Sequence, residues 1–332
     1  MSLDPAVAAA LLEAGLDPSE TERVVRGALA EDFRYGPDVT SAATTQPGAR
    51  AVAEVVARCP GVLAGLPVAL AALDTAGVPL AGAETLRHDG ETIERGAEVL
   101  RITAPLREML GAERTLLNFL THLCGVATAT RRWADAVAGT GCTVRDTRKT
   151  TPGLRQMEKY AVRCGGGRNH RMGLGDAALV KDNHVAAAGG IGAAIRVVRD
   201  AAPGLPLEVE CDTLAQVREA LDAGAGLLLL DNMNLAGLRA AVALARQYPQ
   251  VRLEASGGLR LEEARAVAET GVDFIAVGAL THSSPALDLG LDVLEVLEPG
   301  APHQPRRPAP ATPAMPRQPA ADASQSHAAG KS

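Results

Sequence analysis

The chain reads as an α/β protein: an incomplete α/β barrel of six to seven parallel strands, with a separate N-terminal α/β sandwich domain. Three observations predict it. From residue 141 onward, short β-branched or leucine-rich runs alternate with alanine-rich amphipathic stretches, each run ends on a polar residue or glycine, and residues 20–140 lack this repeat. A strand–loop–helix unit repeated in one direction lays strands in parallel through right-handed crossovers. The runs are Cys142–Asp146, Ala178–Asp182, Leu207–Glu210, Leu227–Asp231, Val251–Ser256 and Phe274–Gly278, with ends 36, 28, 21, 25 and 22 residues apart. Between them, Thr213–Ala223, Leu235–Gln247 and Leu261–Thr270 carry apolar residues at i, i+3 and i+4, the period of a helix with one buried face. An open doubly wound sheet is the structural alternative. It gathers its ligand groups at one switch point, whereas here all six run ends carry usable groups.

Upstream, the pattern predicts a helix at Glu20–Leu29, strands within Ala51–Leu63 and Glu84–Thr103, and a helix at Leu66–Thr75. Glu108–Val137 reads as helix, with Trp133 in the core, linking this layer to the repeats. The expected division is therefore an N-terminal extension (1–19), a sandwich domain with linking helices (20–140), a barrel domain (141–298) and a disordered Pro/Ala-rich tail (299–332).

Composition excludes several classes of function. No run of 18 apolar residues is present, so no membrane-spanning helix is expected, and the start of the chain lacks the pattern of a secretory signal, which makes the cytoplasm the expected compartment. Five cysteines (Cys59, Cys124, Cys142, Cys164, Cys211) are odd in number and contain no C-x-x-C pair, against both a disulfide framework and a zinc site. Aromatics at 2% and a net charge of −6 argue against nucleic-acid binding, which uses basic stripes and stacking rings.

The charge is unevenly placed. Arg145–His184 holds nine of the 33 lysines and arginines, against four acids, and three of the chain's four lysines (Lys149, Lys159, Lys181). A basic island in an acidic chain points to an anion. Arg148 and Arg171, with neighbouring His170, can grip planar carboxylates, while Lys149 and Lys181 offer point charges for pyrophosphate or a second carboxylate. Arg155, Lys159 and Arg163 fall at near-helical spacing and are expected to be solvated or paired with Glu158.

On the barrel reading one mouth is ringed by Arg145, Asp146, Arg148, Lys149, Lys181, Asp182, Glu210, Asp231, Ser256-Gly257-Gly258 and Gly278-Ala279. The last two loops of such barrels commonly cradle a phosphate on backbone N–H groups, although the same glycines also suit plain tight turns. Glu210 and Asp231, ending neighbouring apolar strands, suit ribose hydroxyls or Mg²⁺, or else form a structural pair with nearby arginines. Other templates fail. Gly189-Gly190-Ile191-Gly192 lacks the third glycine of a dinucleotide fingerprint, no Walker lysine or G-x-S-x-G elbow is present, and the histidines lack metal-ligand spacing.

The motifs Arg145-Asp-Thr-Arg-Lys-Thr-Thr-Pro-Gly153, Gly165-Gly-Gly-Arg-Asn-His-Arg171, Lys181-Asp-Asn-His184, Glu208-Val-Glu210, Leu230-Asp-Asn232, Ser256-Gly-Gly258 and Val277-Gly-Ala-Leu-Thr-His282 occur in order. Glu31-Asp32, Gly36–Thr40 and Glu113–Phe119 extend the pattern upstream. Over residues 20–298 the chain resembles the quinolinate phosphoribosyltransferase family, type II phosphoribosyltransferases of de novo NAD synthesis. The resemblance implies transfer of the phosphoribosyl group of phosphoribosyl pyrophosphate to the ring nitrogen of quinolinate with decarboxylation, giving nicotinate mononucleotide, pyrophosphate and CO₂. It implies Mg²⁺, held mainly by the substrate pyrophosphate and not by a dedicated protein site. It also implies a homodimer in which Arg114 completes the partner's site. Quinolinate ligands carry over to Arg114, Arg148, His170, Arg171 and Lys181, with Thr147 beside them, and catalytic ribose and pyrophosphate groups to Glu210, Asp231 and Lys149. Phosphate ligands carry over to Ser256, Gly257, Gly258, Gly278 and Ala279, with His282 nearby. Two rivals are a related enzyme acting on a mono-carboxylate such as nicotinate, and a non-catalytic barrel that binds a phosphosugar.

Overall fold

The computed structural model describes residues 2–297, and the tail expected at 299–332 lies outside the described residues. The chain opens with α1 (Pro5–Glu13), α2 (Pro18–Asp32) and α3 (Val39–Thr44). Asp4 and Asp17 each accept backbone N–H groups of the turn that follows, with proline as the first helical residue, so α1 and α2 start where side-chain capping and a preset φ coincide. The stretch 1–19, expected as an extension, thus holds a helix whose Val7 and Leu11 are buried in the common core. Next come β1 (Arg50–Ala57), β2 (Gly61–Val62), α4 (Leu66–Thr75), β3 (Ala83–Thr85), β4 (Thr92–Ile93), β5 (Glu98–Pro105) and the long α5 (Leu106–Ala136), whose Trp133 is buried. The stretch Glu84–Thr103, expected to hold strands, carries three of them, β3, β4 and β5. Asp89 turns back to accept the N–H groups of Gly65 and Leu66 at the start of α4, and a segment that caps a helix cannot also stay in a ladder.

The second half alternates strand and helix, with two helices between β7 and β8: β6 (Thr143–Arg145), α6 (Arg155–Cys164), β7 (Ala178–Val180), α7 (Asp182–Ala188), α8 (Ile191–Ala201), β8 (Leu207–Cys211), α9 (Leu214–Asp222), β9 (Leu227–Asp231), α10 (Leu235–Ala245), β10 (Arg252–Ser256), α11 (Ala264–Ala268), β11 (Phe274–Ala276) and α12 (Ala279–His282). The six strands are all parallel, in the order β6-β11-β10-β9-β8-β7. Because β6, first of the six in sequence, sits beside β11, the last, the sheet has curled round on itself. It stops one pairing short of closure, between β6 and β7, where a single bridge from Arg145 to Arg168 stands in for a strand. The barrel is therefore incomplete, and all its strands end at one mouth.

The last strand, β12 (Leu289–Leu297), does not belong to the barrel. It pairs antiparallel with β1 from Arg50↔Leu297 to Ala57↔Leu289, in a sheet of order β12-β1-β5-β3. The stretch 141–298, expected as one barrel domain, therefore hands Leu289–Leu297 back to the sandwich. The alternation Leu289-Gly-Leu-Asp-Val carries that signal, since a period of two fits an antiparallel strand with one covered face. Among the described residues no helix is long and apolar enough to cross a membrane, and all five cysteines are unpaired.

Candidate active site

A cavity of about 240 Å³ opens at the mouth where the six strands end, lined by Thr147, Arg148, Lys149, His170, Arg171, Leu179, Lys181, Glu210, Leu229, Asp231, Glu254, Ser256 and Ala276. Strand β6 supplies the first of these groups through the loop that follows it. The root of that loop is Asp146, fully buried, which accepts Lys159 Nζ, Asn169 Nδ2 at 2.6 Å and the His170 N–H at 2.8 Å. Lys159, expected to be solvated or paired with Glu158, is instead 0% exposed, ion-paired to Asp146 and donating to the His170 carbonyl at 2.9 Å. Burial draws its pKa below the ordinary lysine range while Asp146 pulls the other way. The helical spacing was sound, but α6 turns this face inward, against the loop, and a lysine there is tolerable only with its partner in place.

The neighbours of Lys159 follow suit. Glu158 is fully buried and engages His122 Nε2 at 2.9 Å and the Thr151 N–H at 3.1 Å, so it holds the far end of the same loop. Arg155 donates to Thr150 Oγ1 and to the Met172 carbonyl, and Arg163 to Asn169 Oδ1 and the Ala14 carbonyl. None of the three bases lines the cavity, as the sequence suggested, yet all three tie down the segments that do.

Arg148 and Arg171 line the cavity with no acid between them. The Nε atoms of both are buried and without a protein partner, and Arg171 spends one terminal nitrogen on the Ala177 carbonyl at 2.9 Å. Burial and the adjacent Arg148 charge hold Arg171 below the ordinary arginine range. Two buried guanidinium Nε atoms left without a partner are costly unless an anion completes them. Across the cavity, Lys181 at the end of β7 is ion-paired to Glu210 on β8, and Asp231 at the end of β9 accepts Asn232 Nδ2 at 2.6 Å.

The glycine loops lie on the far side. Gly257 has φ +94°, and a Cβ there would collide with the side chain of Asn232, whose N–H donates to the Ser256 carbonyl at 3.0 Å, so this turn admits glycine alone. Ser256 lines the cavity, whereas Gly257 and Gly258 continue beyond its lining. A Cβ on Gly278 would lie 3.1 Å from the Lys149 side chain, 3.2 Å from His282 Nε2 and 3.4 Å from Thr147 Oγ1. Thr281 Oγ1 donates to the Lys149 carbonyl at 2.8 Å, which fixes the β6 loop against α12 and gathers Thr147, Lys149, Gly278, Ala279 and His282 into one corner.

Four expected residues stand elsewhere, the first being Asp182, exposed at the start of α7 and outside the cavity lining. Arg145 and Asp146 point away from the cavity: Arg145 is ion-paired to Glu254 and stacks over Phe274 at 4.9 Å. Arg114 is exposed on α5, outside the cavity lining, and makes no side-chain hydrogen bond or ion pair among the described residues.

Two carboxylates passed over in the sequence lie at the centre of the barrel. Glu254 on β10 is fully buried, and Glu208 on β8 nearly so; His170 Nε2 lies 2.8 Å from Glu208 Oε2 and 3.5 Å from Glu254 Oε1. Burial first, and the Glu208 charge second, push Glu254 up to about 7, against the opposing pull of Arg145 and His170. The available signal was a glutamate inside Val251-Arg-Leu-Glu-Ala-Ser256, a run otherwise read as a barrel strand, where an inward charge needs a partner.

Comparison with known proteins agrees with this architecture. The profile described as "Quinolinate phosphoribosyl transferase, N-terminal domain" matches residues 38–124, and that of the C-terminal domain residues 126–292. The chain is 51% identical over 277 residues to the nicotinate-nucleotide pyrophosphorylase [carboxylating] of Mycobacterium leprae, covering 81% of this chain and 95% of that protein. It is 41% identical over 268 residues to the probable enzyme of the same name from Synechocystis, covering 80% and 90%. The structure of the nicotinate-nucleotide pyrophosphorylase from Francisella tularensis superposes with a TM-score of 0.77 at 35% identity, covering 84% and 96% of the two chains. By this extent of match the chain belongs to the quinolinate phosphoribosyltransferase family.

Proposed function

We propose that the chain transfers the phosphoribosyl group of phosphoribosyl pyrophosphate to quinolinate with loss of CO₂, forming nicotinate mononucleotide for NAD synthesis. The observation that carries this reading is the pair Arg148 and Arg171, both with buried, unpartnered Nε atoms on one cavity whose opposite wall bears Glu210 and Asp231. A planar dicarboxylate answers the first pair, and a ribose with developing positive charge answers the second.

In this reading Arg148, Arg171 and Lys181 hold the acceptor's carboxylates, with Thr147 and His170 forming the adjoining wall. Lys149 meets the pyrophosphate, and Ser256, Gly257, Gly258, Gly278, Ala279 and His282 surround the 5′-phosphate. The ring nitrogen lone pair forms the bond to ribose C1 as the bond from C1 to pyrophosphate breaks. The C2–carboxylate bond then cleaves, its electron pair stabilised by the adjacent pyridinium, and C2 takes a proton from water. Pyrophosphate leaves readily, so the protein's part is to orient the reactants and stabilise charge, and no protein nucleophile is required.

Mg²⁺ fits the site as a companion of the pyrophosphate. The mouth offers separate carboxylates and no ready-made cage, which suits a hard cation that keeps its waters and substrate phosphates, with Asp231 the protein oxygen at hand. When bound it would neutralise charge on the leaving group. Arg114, outside its own subunit's cavity, completes the partner's acceptor subsite in a homodimer.

The test is to incubate the protein with Mg²⁺, phosphoribosyl pyrophosphate and either quinolinate or nicotinate, following nicotinate mononucleotide and CO₂. Equimolar nucleotide and CO₂ from quinolinate is expected. Product from nicotinate alone would transfer the reading to a mono-carboxylate enzyme, and no product from either acid would leave a binding barrel.

A further inference from the structure

Glu208 lies below the active-site cavity and outside its lining, facing a second cavity of about 520 Å³ at the opposite end of the barrel that is also lined by Arg145, Asn169, His170, Arg171 and Asp176. His170 is held from four sides. Its N–H donates to Asp146 Oδ1, its carbonyl accepts Lys159 Nζ, its Nδ1 accepts the Arg171 N–H at 2.8 Å, and its Nε2 lies 2.8 Å from Glu208 Oε2. The third contact decides the tautomer. A backbone N–H needs a lone pair to donate into, so Nδ1 carries no proton, and the ring proton sits on Nε2, within ion-pair distance of Glu208 Oε2. One oxygen each from Glu208 and Glu254 and a ring nitrogen of His170 lie within 4.8 Å of one another, which by distance alone would suit a metal ion. The tautomer argues against that use, since Nε2–H has no lone pair left for a metal.

We propose that Glu208 is a positioning residue for the acceptor subsite: by accepting the Nε2 proton of His170 it keeps Nδ1 an acceptor, which anchors the Arg171 backbone and aims its guanidinium into the cavity. The proposal rests on the functional reading above for the identity of the acceptor. It does not make Glu208 a ligand, and it gives His170 a task distinct from direct hydrogen bonding to substrate. Both ring nitrogens are spent within the protein, so the face His170 shows the cavity is its ring edge. Glu254, 3.5 Å from Nε2 and tied to Arg145, is the poorer acceptor.

The experiment compares the full chain with Glu208→Gln and Glu208→Leu, the amide oxygen of glutamine being able to accept the same proton. The ¹⁵N shifts of the His170 ring should report Nε2–H in the wild type and in Glu208→Gln. In Glu208→Leu the shifts should move, and the KM and calorimetric Kd for quinolinate should rise about tenfold, with the KM for phosphoribosyl pyrophosphate and kcat within roughly threefold. Glu208→Gln should restore quinolinate affinity to within roughly threefold of wild type. A proton on Nδ1 in the wild type, unchanged quinolinate affinity in folded Glu208→Leu, or equal losses in both variants would overturn the proposal. If Glu208→Leu does not fold, the wild-type tautomer and the Glu208→Gln affinity decide alone. Failure of the function reading is separately visible, as a wild type that neither binds nor converts quinolinate while the Nε2–H signature persists.

Discussion

Arg148 and Arg171 line the same cavity, which offers their buried Nε atoms nothing to bond, so their cost is recovered only when an anion enters. Replacing Arg171 with glutamine should therefore raise the Kd for quinolinate by about tenfold to a hundredfold, measured by calorimetry, and an unchanged Kd would remove it from the acceptor subsite. Asp231→Asn belongs to the other wall. It should slow turnover by about tenfold or more while leaving quinolinate affinity alone, because its charge is needed only as the ribose becomes cationic. Glu254 gives a prediction of a different kind. Its carboxyl is held near 7 in the fold against an ordinary 4.5, so the folded state takes up the proton more readily than the unfolded chain. Its contribution to stability is fully present below about pH 4.5 and falls as pH rises to about 7, by about 3 kcal/mol. The difference in unfolding free energy between wild type and Glu254→Gln should decline over that window, and a flat difference would show that Glu254 does not titrate there.

Helix α6 illustrates what an element does when its polar residues face inward. Glu158 and Lys159 are neighbours on its buried side, one bonded to the Thr151 end of the β6 loop and the other to its Asp146 root. The loop that presents Thr147, Arg148 and Lys149 is thereby clamped at both ends. Lys159→Met should destabilise the protein by about 3–5 kcal/mol in urea unfolding, because it strands the Asp146 carboxylate in the core. Adding Asp146→Asn should return part of that loss, since the amide removes the uncompensated charge. A lone Lys159→Met cost near zero would mean that Asp146 is already neutral.

At the scale of the whole molecule, the site as folded within one chain is short of one expected cation. Arg114 stands exposed on α5, outside the cavity of its own subunit. If it serves a partner, Arg114→Ala and Asp231→Asn proteins, each impaired alone, should regain activity when unfolded and refolded together. Random pairing places one intact site in half of the dimers, so about a quarter of wild-type activity is expected. Recovery absent from a mixture that forms dimers would confine Arg114 to a role within its own chain.

What the sequence determined by itself is everything written in local pattern. The alternating repeat announced parallel strands, the run ends announced which residues share a mouth, and the motifs from Arg145 to His282 placed the chain beside one family. Four things needed the tertiary structure. Lys159 is helical by spacing, but spacing is silent on which face of α6 meets the loop. The return of β12 to the sandwich is a pairing between residues more than 200 positions apart, invisible to any local window. Glu208 and Glu254 looked like ordinary strand glutamates until the curled sheet turned both toward His170. Arg114 has its expected motif, yet it stands exposed on α5 and outside the cavity lining, a placement that local sequence spacing does not disclose.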